Sequence, residues 1–479
     1  MSTAVSIAPA HTPPAHPVLG HGPAFNRDQL GYLSFLAREY GDLVPPRFTP
    51  FHGLFINHPA LVEELLVTRN RSFVKSLVFR RAGSVLGNGL VLSEGDFWRR
   101  QRRLMQPAFH RERIQGYGQT MVDFTDRLLT SWHDGEVRDV QSEMMRLTLD
   151  IAAKTLFGAE VSSEATDVGA AFTTALECLQ ARISGLQLLL PDGVPTPTML
   201  RLRRAVRRLD ALVYRIIAER RRSGEDRGDL LSPLLQARDA DDGTGMTDQQ
   251  LRDEVLTLVF GGHETTALTL TWAWYLLATH PEAEERLHIE LARELGDRGP
   301  SVTDVARLPF TSAVITETLR LYPPLWAFSR EATEHTAIGG YPVRKGTIVI
   351  VSPWTMHRHP QYYVEPEAFA PERWLDGLAQ RLLRFAYFPF GGGPRQCIGN
   401  SFALLEAALV LAAIAQRFQL DLEAGQTIRP VPTGTLRPER GVRMRLRARG
   451  VSQRTIASVD HRLPSGPTIS ASAAGELDA

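Results

Sequence analysis

The sequence predicts a mainly α protein carrying small β-sheets, on three observations. Apolar residues recur at helical spacing over most of residues 30–222, and one long apolar-rich stretch runs uninterrupted over 247–280. Short alternating runs stand apart from these at 53–59, 336–354 and 441–450 and read as strands. With 479 residues and 43% hydrophobic content the chain can bury a large core, and no stretch is composed like a linker between large domains. The reading therefore sets a flexible Pro-rich leader over 1–14, a single domain over 15–450 and a Ser/Ala/Gly-rich tail, expected to be disordered, over 451–479.

Taken in order, residues 199–222 form a basic amphipathic helix, with Leu202, Val206, Leu209, Val213 and Ile217 on one face and Arg201, Arg204, Arg207, Arg208 and Arg215 elsewhere. A solvated face on a packed helix is a better account of the arginines than a membrane-surface or polyanion-binding helix. SGEDRGD and DADDGTG then bracket a short helix. Thr247 and Gln250 make a capping box that opens the long helix, and Pro281 stops it at His280. Part of that helix, Val255 to Ala278, could imitate a membrane span, but His263 and Glu264 sit at its middle. Each lipid-facing charge there would cost roughly 2.5–3.5 kcal/mol, so a buried core helix is the better reading.

Lys plus Arg number 54 against 53 Asp plus Glu, and the net charge of +1 gives no global pull toward nucleic acid or an anionic membrane. The first 20 residues lack the basic flank and apolar core of a signal peptide. Two cysteines in so long a chain, Cys178 and Cys397, fit a reducing compartment. The expectation is a cytoplasmic monomer without a membrane anchor.

Cys397 sits in FPFGGGPRQCIGNSFALLEA, residues 388–407. Gly391, Gly392 and Gly393 permit backbone conformations and approaches that a Cβ would forbid, and Pro394 stiffens the turn. The helix that follows points its first amides back at the sulfur, which favours a thiolate. A lone cysteine is ordinarily an inert core residue, which suits Cys178 but leaves the glycines and Arg395 without a reason.

Phe390, Gly393, Arg395, Cys397 and Gly399 match F-x-x-G-x-R-x-C-x-G, and with this pattern the chain resembles the cytochrome P450 superfamily over roughly residues 15–450. The resemblance implies the triangular P450 fold, with Cys397 as the axial thiolate of haem b, Phe390 shielding the sulfur and Arg395 pairing with a haem propionate. Other family landmarks occur in order. Glu317 and Arg320 of ETLR, with Arg373 of FAPERW, correspond to a fold-forming triad, although spacing alone would make the first two a modest surface pair. Trp98 and Arg102 match the W-x-x-x-R that binds a propionate, and Arg330 matches another propionate-binding arginine.

Within the long helix, GGHETT places two glycines in mid-helix at roughly 1 kcal/mol each, which asks for a compensating purpose. The family pattern makes Gly261 and Gly262 an opening for a diatomic ligand and Glu264 and Thr265 the acid and alcohol that relay protons to dioxygen. The plain alternative for Thr265 is a hydroxyl bonded back to a carbonyl one turn earlier. HETTA is no zinc-protease motif, because Ala267 stands where a second histidine is needed. His357, Arg358 and His359 lack metal-ligand company and read as an exposed loop.

No G-x-G-x-x-G after a strand and no Walker loop is present. The resemblance thus implies a monooxygenase that inserts one atom of O2 into a C–H or C=C bond. Its electrons would come from NAD(P)H through a separate ferredoxin or flavodoxin and its reductase, drawn to exposed arginines such as Arg99 and Arg103. By family position the pocket comprises part of residues 76–92, the 172–190 region, Phe260, Leu325, Trp326, Ala327, Phe328 and the turn through Leu436. These are mostly apolar, so the substrate is expected to be hydrophobic, a terpenoid or fatty acid ahead of a polyketide or steroid. The rivals are a peroxide-driven or isomerising haem-thiolate enzyme and a non-enzymatic haem sensor or carrier.

Overall fold

Side-chain caps open the longer helices where the sequence offers Asp or Thr. In the computed structural model, which describes residues 12–450 less residue 50 and most of 159–195, Asp28 accepts from the Gly31 amide and opens α1 (Gln29–Tyr40). Next come α2 (Gly95–Met105), α3 (Gly118–Leu129) and α4 (Val140–Phe157), the last capped by Asp139. Thr196 caps α5 (Pro197–Ser223), and Thr247 and Gln250 close a full capping box on α6 (Asp248–Thr279). Proline begins both α7 (Pro281–Leu295) and α8 (Pro309–Leu321), where its missing N–H costs nothing. The last long helix is α9 (Asn400–Arg417).

The strands gather into small sheets. The largest is six-stranded and runs β1 (Leu43–Val44), β2 (Phe51–Ile56), then β6 (Ile348–Val351), β5 (Phe328–Ala332) and β3 (Phe73–Lys75), with Arg47–Phe48 added onto β2. Pairing is parallel only between β2 and β6, and the antiparallel β3–β5 pair sets Lys75 directly across from Arg330. A three-stranded sheet joins β4 (Val137–Asp139), β10 (Arg443–Ala448) and β7 (Phe418–Leu422). A hairpin of β8 (Pro430–Pro432) and β9 (Leu436–Pro438) completes the part that bears on the site.

α6 is buried on nearly every face because α4, α5, α8 and α9 surround it. Near its C-terminal end Trp272 stacks on Tyr322, ring centroids 4.1 Å apart, and donates through Nε1 to the Leu436 carbonyl at 3.0 Å. One described helix, α9, is long and apolar enough to cross a membrane, with mean hydropathy 1.2, but it is a core helix: residues 407–415 are all buried. Most of the expected leader, the tail, and most of the 172–190 pocket region lie outside the described residues, while Pro13, at the leader's end, is buried against His21.

Two readings of the sequence are corrected by packing. Glu317 and Arg320 are no surface pair: both are fully buried. Arg320 Nε and Nη2 donate to Glu317 at 2.8 and 2.9 Å, Arg373 Nε at 3.0 Å and Trp374 Nε1 at 2.8 Å. The remaining Arg320 donor, Nη1, reaches the carbonyls of His357 and Pro366, so the network ties α8 to the segment before the cysteine loop. His357 is likewise no exposed loop residue. It is wholly buried, and its Nε2 accepts the Phe388 amide at 2.9 Å, fixing the ring as a neutral acceptor.

Candidate active site

The cysteine loop is built by short-range backbone bonds. Gly391 N–H donates to the Phe388 carbonyl, Gln396 N–H to Gly393, and Cys397 N–H to Phe390, each at 3.0 Å. The glycines serve the loop's own packing. Gly393 has φ +65°, and a Cβ there would fall 2.1 Å from the Leu66 carbonyl oxygen, while one on Gly392 would strike the Phe385 ring. The thiol opens into a cavity of about 330 Å³ between α6 and the loop. Burial pushes the Cys397 thiol up from its ordinary value, against the Gly399 amide and Arg102, which favour the anion. The amide at Gly399 thus acts in the expected direction, toward the anion, against the opposing desolvation.

Cations rim this cavity. Trp98, Arg102, Arg330, Arg395 and a residue not singled out from sequence, Lys75, all line it. Arg395 lies over the Trp98 ring at 3.9 Å, donates to the Ser93 carbonyl at 2.7 Å and pairs with Glu94. Arg102 donates to the Gln396 carbonyl at 2.9 Å beside the cysteine. Burial and Arg395 together push Arg330 down to about 10 and Lys75 down to about 7, with Glu94 opposing both shifts. Like charges set directly across a strand pair destabilise a sheet unless an anion intervenes. Buried Lys75 and half-buried Arg330 and Arg395 face Glu94, and the remaining positive charge fits the two carboxylates of a haem whose iron Cys397 would hold.

The opposite wall is α6. Gly261, Gly262, Thr265 and Thr266 line the cavity, and the Thr265 hydroxyl donates to the Gly261 carbonyl at 2.7 Å, one turn back. The helix stays continuous through both glycines, and nothing stands within 4 Å of where their Cβ atoms would be. Glu264 points elsewhere. It is 3% exposed and faces the β8–β9 hairpin, where Arg437 Nε donates to it at 2.8 Å and the Thr435 hydroxyl also donates. The acid and the alcohol are therefore neighbours in sequence that are held by different partners.

Phe390, Gly399, Leu325 and Phe328 are on the cavity wall, as are Phe79, Leu90 and Val91 of the 76–92 segment. Four residues expected there are not. Trp326, Ala327 and Leu436 pack into a separate cluster around Leu30, Leu33 and Leu36 of α1, with Trp326 Nε1 bonded to the Thr433 carbonyl at 3.0 Å. Phe260 packs against the main core. Residues 325–327 precede β5 and are not extended as a strand, so Leu325 and Phe328 meet the cavity while Trp326 and Ala327 both turn to the α1 cluster. Lys75 and Arg437 were missed because a single Lys ending a strand, or an Arg in a basic terminal segment, carries no signal of its long-range partner.

Comparison with known proteins agrees with this geometry. Residues 10–445 match the Cytochrome P450 family. The chain is 40% identical over 430 residues, 88% of its length and 90% of the relative's, to a cyclooctat-9-en-7-ol 5-monooxygenase of Streptomyces melanosporofaciens. It is 39% identical over 448 residues, 91% and 96% of the two chains, to a cyclooctatin synthase of the same organism. It is 39% identical over 446 residues, 92% and 98%, to a pentalenene oxygenase of Streptomyces avermitilis. With a cysteine loop facing a helix across a cation-rimmed cavity, and with matches along nearly its whole length, this chain belongs to the cytochrome P450 family of haem-dependent monooxygenases.

Proposed function

We propose that this monooxygenase hydroxylates a terpenoid, inserting one oxygen atom of O2 at a C–H bond of a polycyclic hydrocarbon skeleton. The observation that carries the reading is the cavity itself: an apolar wall of Phe79, Val91, Leu258 and Leu325 stands across from a single cysteine with a buried lysine and half-buried arginines at its rim. Relatives named for oxygenating cyclooctat-9-en-7-ol and pentalenene support the substrate class.

When bound, haem supplies dioxygen activation, which the side chains cannot perform alone. Cys397 would hold it by sulfur, with Phe390 packed alongside, and Lys75, Arg330, Arg395, Trp98 and Arg102 would hold its carboxylates. Gly399 joins Cys397 to α9. Thr265 holds a proton on Oγ1, now spent on the Gly261 carbonyl. Turned into the cavity, that hydroxyl would be a proton donor. Glu264 would replenish it after loosening from Arg437 and taking up a proton from solvent. The apolar wall would exclude bulk water and seat the substrate on the α6 side of the cavity, where the Thr265 hydroxyl lies, across from Cys397. Glu317, Arg320 and Arg373 act at a distance by fixing the approach to the cysteine loop.

Electrons come from NAD(P)H through a separate ferredoxin or flavodoxin and its reductase, in the cytoplasm. Arg103 is a weaker contact for such a carrier than its sequence suggests, because Asp239 and Asp241 already pair with it, and Arg99 pairs with Asp96. The test is spectroscopic. Purified protein, reduced under carbon monoxide, is expected to give the thiolate-ligated absorption band, and Cys397→Ser to abolish it. A panel of cyclic terpenes, terpene alcohols and fatty acids is expected to yield at least one terpene that shifts the haem spin state and is hydroxylated. Haem without the thiolate band, or a panel in which fatty acids alone bind, overturns the reading.

A further inference from the structure

Two consecutive carboxylates on α6, Asp253 and Glu254, lie upstream of the glycine pair at 6% and 1% exposure. Neither belongs to the acid–alcohol pair or to the cation rim. Both reach to the same loop. Asp253 Oδ2 accepts the Asn88 amide at 2.8 Å, and Glu254 Oε2 accepts the Leu90 amide at 2.9 Å.

The loop is shaped for this approach. Gly87 has φ +59°, and a Cβ on it would fall 2.1 Å from an Asp253 carboxylate oxygen. A Cβ on Gly89 would fall 2.1 Å from the Thr257 hydroxyl oxygen and 2.6 Å from the Asp253 carbonyl oxygen. From the far side, Lys75 Nζ donates to the Leu90 carbonyl at 3.4 Å. Leu90 is thus held at its N–H by an acid from α6 and at its C=O by an amine from β3. Asp253 is itself fixed, accepting from Gln249 Nε2 at 2.8 Å and Arg252 Nη1 at 2.9 Å, and Arg252 pairs with Asp210 of α5.

What the clamp holds is cavity wall, since Leu90 and Val91 both line the space beside Cys397. A wall made of loop moves unless its backbone is tied down. Burial pushes Glu254 up to about 8, so near pH 7 the group is a neutral acceptor that glutamine can imitate.

We propose that Glu254 is a positioning residue for substrate selection: its hold on the Leu90 amide sets where Leu90 and Val91 stand, and so the size of molecule the cavity admits. The proposal rests on reading this cavity as the substrate pocket beside haem, and the experiment separates the two. Glu254→Gln and Glu254→Leu are compared in the haem-loaded full chain, with imidazole as a small probe and 4-phenylimidazole as one that reaches the wall.

Glu254→Leu is expected to speed amide exchange across 87–91 about 10-fold and to weaken 4-phenylimidazole binding about 10-fold, the loss of one buried amide partner. Imidazole binding stays at the wild-type value, and Glu254→Gln restores both readouts. Gly89→Ala, which displaces the same segment from its other contact, is expected to reproduce the leucine phenotype.

Wild-type exchange and wild-type 4-phenylimidazole binding in Glu254→Leu overturn the proposal, as does a glutamine variant that falls as far as leucine. If Glu254→Leu loses haem, Gly89→Ala decides by the same two readouts. If wild-type protein shows no azole spectrum at all, the cofactor reading fails, while the exchange difference still reports on the clamp.

Discussion

Glu317 and Glu284 are both buried carboxylates, and they are stabilised very unequally. Glu317 accepts from Arg320, Arg373, Trp374 and the Ala370 amide, so its charge is matched by cations and its oxygens by donors. Glu284, in the first turn of α7, accepts from Gln419 Nε2 at 2.9 Å, and although the Leu420 amide and the more distant Arg449 favour its charge, burial pushes it up to about 7. The sign follows from linkage. A carboxyl raised in the fold binds a proton that the unfolded chain has released, so its contribution is complete below about 4.5 and is lost as pH climbs to about 7. Glu284→Gln removes that loss. Thermal unfolding of the two proteins is expected to coincide near pH 4.5 and to diverge up to pH 7, the variant gaining on the order of 2 kcal/mol and holding that gain above it. Parallel curves across this window would show that Glu284 is not the titrating group.

At the scale of elements, α6 tests how far local chemistry decides a helix. Its capping box is complete, with Thr247 Oγ1 accepting the Gln250 amide at 3.2 Å and Gln250 Oε1 accepting the Thr247 amide at 2.9 Å. Thr247→Ala is expected to cost about 1 kcal/mol in urea unfolding, with the m-value unchanged, because only the helix end is touched. A loss several times larger would mean that the cap also anchors α5, whose Arg221 pairs with the adjacent Asp248. The cap, the proline stop, the amphipathic α5 and the strands at 51–56 and 443–448 were legible because each depends on residues close in sequence. The cysteine loop was legible as a pattern, but the work of its glycines was not: Gly393 answers to the Leu66 backbone, which no local rule places there. Likewise Glu264 and Thr265 adjoin on α6, and only the hairpin at 430–438 determines that the acid turns to Arg437 while the alcohol turns to the cavity. Trp326 and Leu436 were misplaced for the same reason, since α1 supplies the cluster that draws them away.

For the whole molecule, the cation rim couples cofactor binding to folding. Lys75 on β3 faces Arg330 on β5, Arg395 of the cysteine loop adds a third charge, and Glu94 and Glu254 are the carboxylates that act on it. With the protein alone, an amine lowered to about 7 has lost its proton over a range where the unfolded chain keeps one. Stability of the apoprotein attributable to Lys75 therefore rises between about pH 7 and the ordinary amine value of 10.5 and is least below 7. Two propionates held there would reverse the balance, restoring charge to Lys75 and turning a repulsive cluster into an ion-paired one. Lys75→Met keeps the apolar stem and removes the charge. At pH 6 the apoprotein variant is expected to melt a few degrees above wild type, and the haem-loaded variant below it, with faster loss of haem to an apomyoglobin acceptor. A variant less stable in both states would make Lys75 a packing residue, and unchanged haem loss would remove it from the carboxylate site. The reversal between apo and haem-loaded protein is what only a charge complementary to the cofactor can produce.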